Sequence, residues 1–290
     1  MSPVLVFGAN GQVGASLVDI LGVSGVGFTR FEADFSQPDS VIRVLETIKP
    51  RCVINAAAYT HVDMAEKEED LAIQINAVTP GLIAGYCYDH AIPFIHYSTD
   101  YVFNGKGERP WTEADVTEPL NAYGRSKLKG EQLIEAVGGK YLIFRTSWVY
   151  DHVGKNFLTT MLRLGKERLH LKVVNDQYGA PTYARDLAQA SLQVVMNAIG
   201  EENFPWGMYH LCHGGVTTWY HFADMIFHHA KQAGIPLVIE TLDPIKSTEY
   251  PTPAKRPANS RLDCSKAKQL LGVSLPLWQE GLTLCMERVI

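Results

Sequence analysis

Residues Val4–Leu17 read VLVFGANGQVGASL. Val4–Phe7 is a short apolar run of strand type that ends at once in a glycine-bearing turn. Gln12–Leu21 then continues with a helical pattern. Gly8, Gly11 and Gly14 are spaced G-x-x-G-x-x-G across the turn. Glycines at this point let the backbone turn tightly and come close to a pyrophosphate, while the unpaired N–H groups of the following helix face its negative charge. The glycines alone would be an ordinary strand–helix turn. Set between a first strand and a first helix, they predict the opening unit of a dinucleotide-binding domain, with Gly8, Asn10, Gly11, Gln12, Val13 and Gly14 against the cofactor.

The rest of the first half repeats the same alternation. Strands are expected at Gly25–Arg30, Arg51–Ala58, Pro93–Thr99 and Tyr141–Tyr150. Helices are expected at Ser40–Ile48, Met64–Asn76, Pro80–His90 and through NAYGRSKLKGE (Asn121–Glu131). Alternating strands and helices bury a parallel sheet between two helical layers. The expected fold class is therefore α/β, a Rossmann-type doubly wound parallel sheet. After about Asp151 the texture changes. Helices are expected at Asn156–Arg168, Ala184–Ala198 and Tyr220–Ala233, separated by irregular stretches such as NDQYGAPT and YPTPAKRPANSR. The division reads as residues 1–150 for the cofactor and 151–290 for a smaller C-terminal α/β substrate-binding region, with some later segments returning to the first. A cleft between the two is the expected ligand site.

Composition narrows the function class. Hydrophobic residues make up 46% of the 290, enough for a real core. No apolar run approaches the ~18 residues of a membrane span, and the first residues do not read as a signal peptide. The net charge is −5 with no long basic run, which argues against nucleic acid as a partner. The five cysteines are scattered, with no C-x-x-C pair, as in a reducing cytoplasm. The ten histidines, including His210, His213, His221, His228 and His229, form no familiar ligand set, so no metal is expected.

Three further stretches carry chemistry. The second strand ends in FTRFEADF. Arg30, which comes first, suits a 2′-phosphate, whereas a carboxylate, such as the following Glu32 or Asp34, suits a ribose hydroxyl. NADPH is favoured, with NADH open, and Asp34 and Phe35 are placed near the adenine. In HYSTDYVF, Ser98, Thr99 and Asp100 end a strand on the side where open parallel sheets bind ligands. In NAYGRSKLKGE, Tyr123 and Lys127 are four apart. On a helix they share a face, at roughly 5–6 Å between Cβ atoms. An ammonium there would lower a phenol pKa from about 10. The same spacing also occurs by chance on many surface helices.

Taken together, FGANGQVG, NAAAYTHVDMAE, HYSTDYVFNGKG, PLNAYGRSKLKGE, FRTSWVY, NDQYGAPT and RPANSRLD resemble the extended short-chain dehydrogenase/reductase family, and within it the reductases of dTDP-linked 4-keto-6-deoxyhexoses. The resemblance spans nearly the whole chain. It implies a triad of Thr99, Tyr123 and Lys127, with Tyr123 as general acid, Thr99 bonding the keto oxygen, and Lys127 lowering the tyrosine pKa and holding the nicotinamide ribose. It further implies Ala57 and Ala58 along the cofactor, and Asp100 and Trp148 against the sugar. Some members bind Mg²⁺ at a dimer interface through two glutamates. Ser16 and Arg185 stand at those positions, so the metal is not expected and a homodimer stays open. Two alternatives remain. A dehydratase or epimerase would need a glutamate base after the threonine–aspartate pair, where Tyr101 stands. A non-catalytic subunit like the β subunit of methionine adenosyltransferase would also keep a Tyr/Lys pair, but without a close match to NDQYGAPT and FRTSWVY.

Overall fold

The computed structural model describes residues 2–289. Its centre is one parallel sheet of six strands: β1 (Val4–Phe7), β2 (Gly25–Phe28), β3 (Cys52–Asn55), β4 (Phe94–Thr99), β5 (Tyr141–Thr146) and β6 (Gly207–His210). The spatial order is β6-β5-β4-β3-β1-β2, all neighbours parallel. The helices used below are α1 (Gln12–Leu21), α2 (Pro38–Ile48), α3 (Thr79–Asp89), α4 (Ala122–Val137), α5 (Phe157–Glu167), α6 (Ala184–Ala198) and α7 (Trp219–Gln232).

Because side chains alternate along a strand, β1 feeds two cores. Val4 and Val6 pack with Leu17 of α1 and Leu187 of α6. Leu5 and Phe7 pack on the other face with Val41 and Leu45 of α2 and Ile83 of α3. All four β1 residues are fully buried, which is why this strand reads as an unbroken apolar run. A third core lies outside the sheet. It joins Tyr150, Leu158, Met161, Phe222, Ile226, Trp278 and Leu282. Beside it, His170–Val174 pairs in parallel with Thr241–Ile245.

Three elements depart from the sequence expectation. The helix expected over Met64–Asn76 is broken into Val62–Ala65, Glu69–Ile73 and a π-helical stretch Gln74–Val78. There the Asn76 side chain bonds Tyr59 N, Tyr59 O and Ser126 Oγ, and Gly130 of α4 lies against its carbonyl. The strand expected over Tyr141–Tyr150 stops at Thr146. Trp148 adopts a left-handed backbone (φ 49°), and Val149–Tyr150 pairs instead with Thr182–Tyr183. Finally, Gly207–His210, which carried no strand expectation, completes the main sheet beside β5, and α6 packs on α1.

Candidate functional site

The strand order reverses between β1 and β3, and this switch point is where an open α/β sheet forms a ligand crevice. The glycine turn fills one side of it. Gly8 has φ +77°, a conformation that favours glycine, and a Cβ there would stand 2.6 Å from Ala57 N. A Cβ on Gly14 would stand 2.0 Å from Gly8 O, so α1 closes directly onto the turn. Helix α1 begins without a side-chain cap and without an acid in its first turn, and the buried Gln12 Oε1 has no partner. Bare helix N–H groups and a backbone cradle fit a dinucleotide pyrophosphate.

A cavity of about 270 Å³ opens here, lined by Gly8, Asn10, Gly11, Arg30, Asp34, Phe35, Ala57 and Ala58 among others. Eight of the expected cofactor residues are thus brought together. Gln12, Val13 and Gly14 are not on the lining; they form the first turn of α1, where Val13 packs into the core and Gly14 sets the close approach. Phe35 is a core residue that meets Phe7 edge-on. Burial pushes the Asp34 carboxyl upward, but hydrogen bonds from the Ser36 N–H and hydroxyl, with the Arg30 guanidinium 3.4 Å away, hold it below its ordinary value. Arg30 itself is mostly exposed beside Asp34, where an added anion can reach its guanidinium.

Thr99 ends β4, and Tyr123 and Lys127 lie on α4. That helix is set in place by the Asn121 side chain, which accepts from Gly124 N, and by Glu66, which accepts from Ala122 N at 2.7 Å. Tyr123 packs with Tyr59 and Ile75, which line the first cavity. It also meets Tyr101 edge-on at 5.5 Å, and Tyr101 lines a second cavity. The Tyr123 ring thus neighbours residues of both cavities while lining neither.

One expectation is corrected. Tyr123 is pushed up to about 12 by burial, with the Asp100 carboxyl adding to the rise and the Thr99 hydroxyl opposing it. Lys127 is not among the causes of this shift; its Nζ donates to Tyr97 O at 2.6 Å and lies 3.2 Å from His96 Nε2. Burial pushes Lys127 itself down to about 8. The phenol is held in its proton-bearing form at neutral pH, as a proton donor requires.

Asp100 is buried, with Oδ1 3.3 Å from Thr99 Oγ1 and Oδ2 without a partner. Burial raises its pKa to about 7. Trp148 stacks on Trp219 at 3.7 Å, and the Trp219 indole donates to Gln177 Oε1. Trp219 and Gln177 line the second cavity, of about 1040 Å³; Trp148 stands behind them. Its lining carries the cations Arg168, Lys172, Lys255 and Arg256, outnumbering the carboxylates Asp243 and Glu249. These cations the sequence reading left unassigned, although Lys255 and Arg256 lie in the quoted stretch YPTPAKRPANSR. Ser16 faces Asp151 at 3.5 Å, and Arg185 pairs with Asp19 at 2.5 Å. Among the described residues no three His, Cys, Asp or Glu side chains cluster as metal ligands, and no helix is long and apolar enough to cross a membrane.

The RmlD substrate binding domain family matches this chain over residues 1–290. The chain belongs to that family. Among its RmlD relatives, the dTDP-4-dehydrorhamnose reductase of Escherichia coli K12 is 46% identical over 284 residues, covering 96% of this chain and 95% of the relative. The reductase of the same name from Burkholderia thailandensis is 44% identical, covering 99% of both. The crystal structure of the Bacillus anthracis dTDP-4-dehydrorhamnose reductase in complex with NADP superposes with a TM-score of 0.91 at 34% identity, covering 99% of each chain. The α/β architecture is thus shared with that Bacillus anthracis structure.

Proposed function

We propose that this chain reduces the C4 keto group of dTDP-4-dehydro-L-rhamnose to give dTDP-L-rhamnose, with NADPH as the preferred reductant. The observation that supports the reading is that Tyr123 packs beside residues of a glycine-turn cavity suited to a dinucleotide and meets Tyr101, which lines a larger cavity rich in cations and suited to a nucleotide sugar. When bound, NADPH supplies the hydride. Tyr123 gives its phenolic proton to the C4 oxygen, an aid typically worth 10²–10⁴-fold. Thr99 donates a hydrogen bond to the same oxygen. Lys127 returns a proton to Tyr123, and solvent restores Lys127. The glycine turn, Ala57 and Ala58 hold the dinucleotide, and Arg30 meets the 2′-phosphate. Asp100 and Trp148 shape the sugar site, Trp148 by backing Trp219. Residues 151–290 contribute most of the substrate side. The relatives' names support a reductase rather than a regulatory subunit, and Tyr101 occupies the place where a dehydratase would need its base. The chain is expected to work in the cytoplasm, as a monomer or homodimer.

The test is direct. Purified protein supplied with dTDP-4-dehydro-L-rhamnose should oxidise NADPH with equimolar formation of dTDP-L-rhamnose. No oxidation with either NADPH or NADH would overturn the reading.

A further inference from the structure

His96 is the buried group that this mechanism leaves unused. It lies on β4 with no exposed surface, three residues before Thr99. Both ring nitrogens are engaged: Nδ1 lies 3.0 Å from Asn55 Nδ2, and Nε2 lies 3.2 Å from Lys127 Nζ. The Asn55 amide has one possible orientation, because its Oδ1 accepts the Ala57 N–H at 2.9 Å. Nδ2 must then donate, so His96 Nδ1 accepts, and the single proton of a neutral imidazole is on Nε2. That N–H points at Lys127. An ammonium would meet it donor to donor; a neutral amine would accept from it while still donating to Tyr97 O at 2.6 Å.

We propose that His96, oriented by Asn55, is a positioning residue that stabilises the neutral amine of Lys127, the form left after its proton has passed to Tyr123. The proton count closes: Tyr123 loses one to the C4 oxygen, Lys127 replaces it, and solvent reloads Lys127. The backbone N–H of Ala57, on the cofactor cavity, is the far end of this chain of hydrogen bonds. Burial, then the Lys127 charge, keeps His96 far below its usual pKa and hence neutral. The other titratable group acting on Lys127 is Glu131 on α4. Glu131 favours the ammonium but is itself paired with Arg145 of β5 at 2.7 Å.

The inference rests on the proposed role of Lys127, and two measurements separate them. In ¹⁵N spectra of histidine-labelled wild-type protein, with the His96 signals identified by their loss in His96→Leu, His96 should show a protonated Nε2 and a bare Nδ1 from pH 6 to 9. A protonated Nδ1 overturns the proposal, whatever the enzyme does. His96→Leu removes the Nε2–H that the neutral amine accepts and so favours the ammonium. It should move the alkaline fall of kcat upward by about one pH unit, the equivalent of one hydrogen bond, with the KM for NADPH changed less than twofold. A uniform loss of kcat with the limb unmoved would mean a packing role and sink the proposal. Lys127→Met that keeps full turnover would instead defeat the proton-source reading, with the tautomer result unaffected.

Discussion

A phenol held near pKa 12 is a poor base and a well-loaded acid, and this decides what Tyr123 can do in the reductive direction. Tyr123→Phe should lower kcat by at least a hundredfold while NADPH affinity, read by fluorescence titration, stays within about twofold. Loss of both together would make the ring a structural support. Asp100 is the costly neighbour. Its carboxyl is uncharged in both folded and unfolded chains well below pH 3.8; between there and about 7 only the folded chain keeps the proton. Stability therefore falls as pH rises through that window, by on the order of 4 kcal/mol in total. Asp100→Asn should raise the thermal midpoint above wild type at pH 8, with the gap vanishing near pH 4; a gap that is constant with pH would contradict the burial argument. Tyr123 and Lys127 stand out in the sequence by their spacing and Thr99 by ending a strand, while the triad itself is what the family resemblance implies. The tyrosine's pKa was not legible, because spacing on a helix puts Lys127 on the right face but cannot show the burial that raises the phenol.

At the scale of elements, the first strand, turn and helix carry the strongest constraint. Gly14→Ala puts a Cβ 2.0 Å from Gly8 O, a backbone atom that cannot step aside without moving the turn. It should both destabilise the fold by more than about 2 kcal/mol and weaken NADPH at least tenfold. Gly85→Ala is the contrast. It lies within α3 with nothing within 4 Å of its Cβ, and should stabilise by about 0.5–1 kcal/mol with activity unchanged. Urea unfolding of both variants beside wild type measures the difference, and equal effects would show that the close approach is not the constraint. The limits of α1 and α6 were readable to the residue because their apolar periodicity and flanking turns agree. The β6 strand was not readable, since GMYH is too short to carry a period and gains its identity only by pairing with Leu142–Arg145. Trp148 defeated the strand expectation for the same reason: its left-handed backbone follows from stacking on Trp219 and from its carbonyl accepting Thr182 N.

At the scale of the whole molecule, the chain after Tyr250 is tied across the cleft to the first half. Arg256 pairs with Asp63 at 2.9 Å, Asn121 Nδ2 donates to Lys255 O, and the Trp111 indole donates to Asn259 O. Residues almost two hundred positions apart thus close the cavity that Lys255 and Arg256 line. Arg256→Ala should raise the KM for the nucleotide sugar several-fold while leaving NADPH binding unchanged, as steady-state kinetics with each substrate varied would show; an equal loss of NADPH affinity would mean the tie organises the whole domain. No periodicity reveals such a tie. It was visible beforehand only as a proline-bearing stretch whose composition departs from its surroundings.

The central claim is that Tyr123 protonates the ketone as hydride arrives. Single-turnover mixing of enzyme–NADPH with dTDP-4-dehydro-L-rhamnose tests it most directly, comparing wild type with Tyr123→Phe by loss of nicotinamide absorbance. The account predicts a fast phase in wild type that slows at least a hundredfold in the variant, with both substrates still bound. A variant that transfers hydride at the wild-type rate would contradict it.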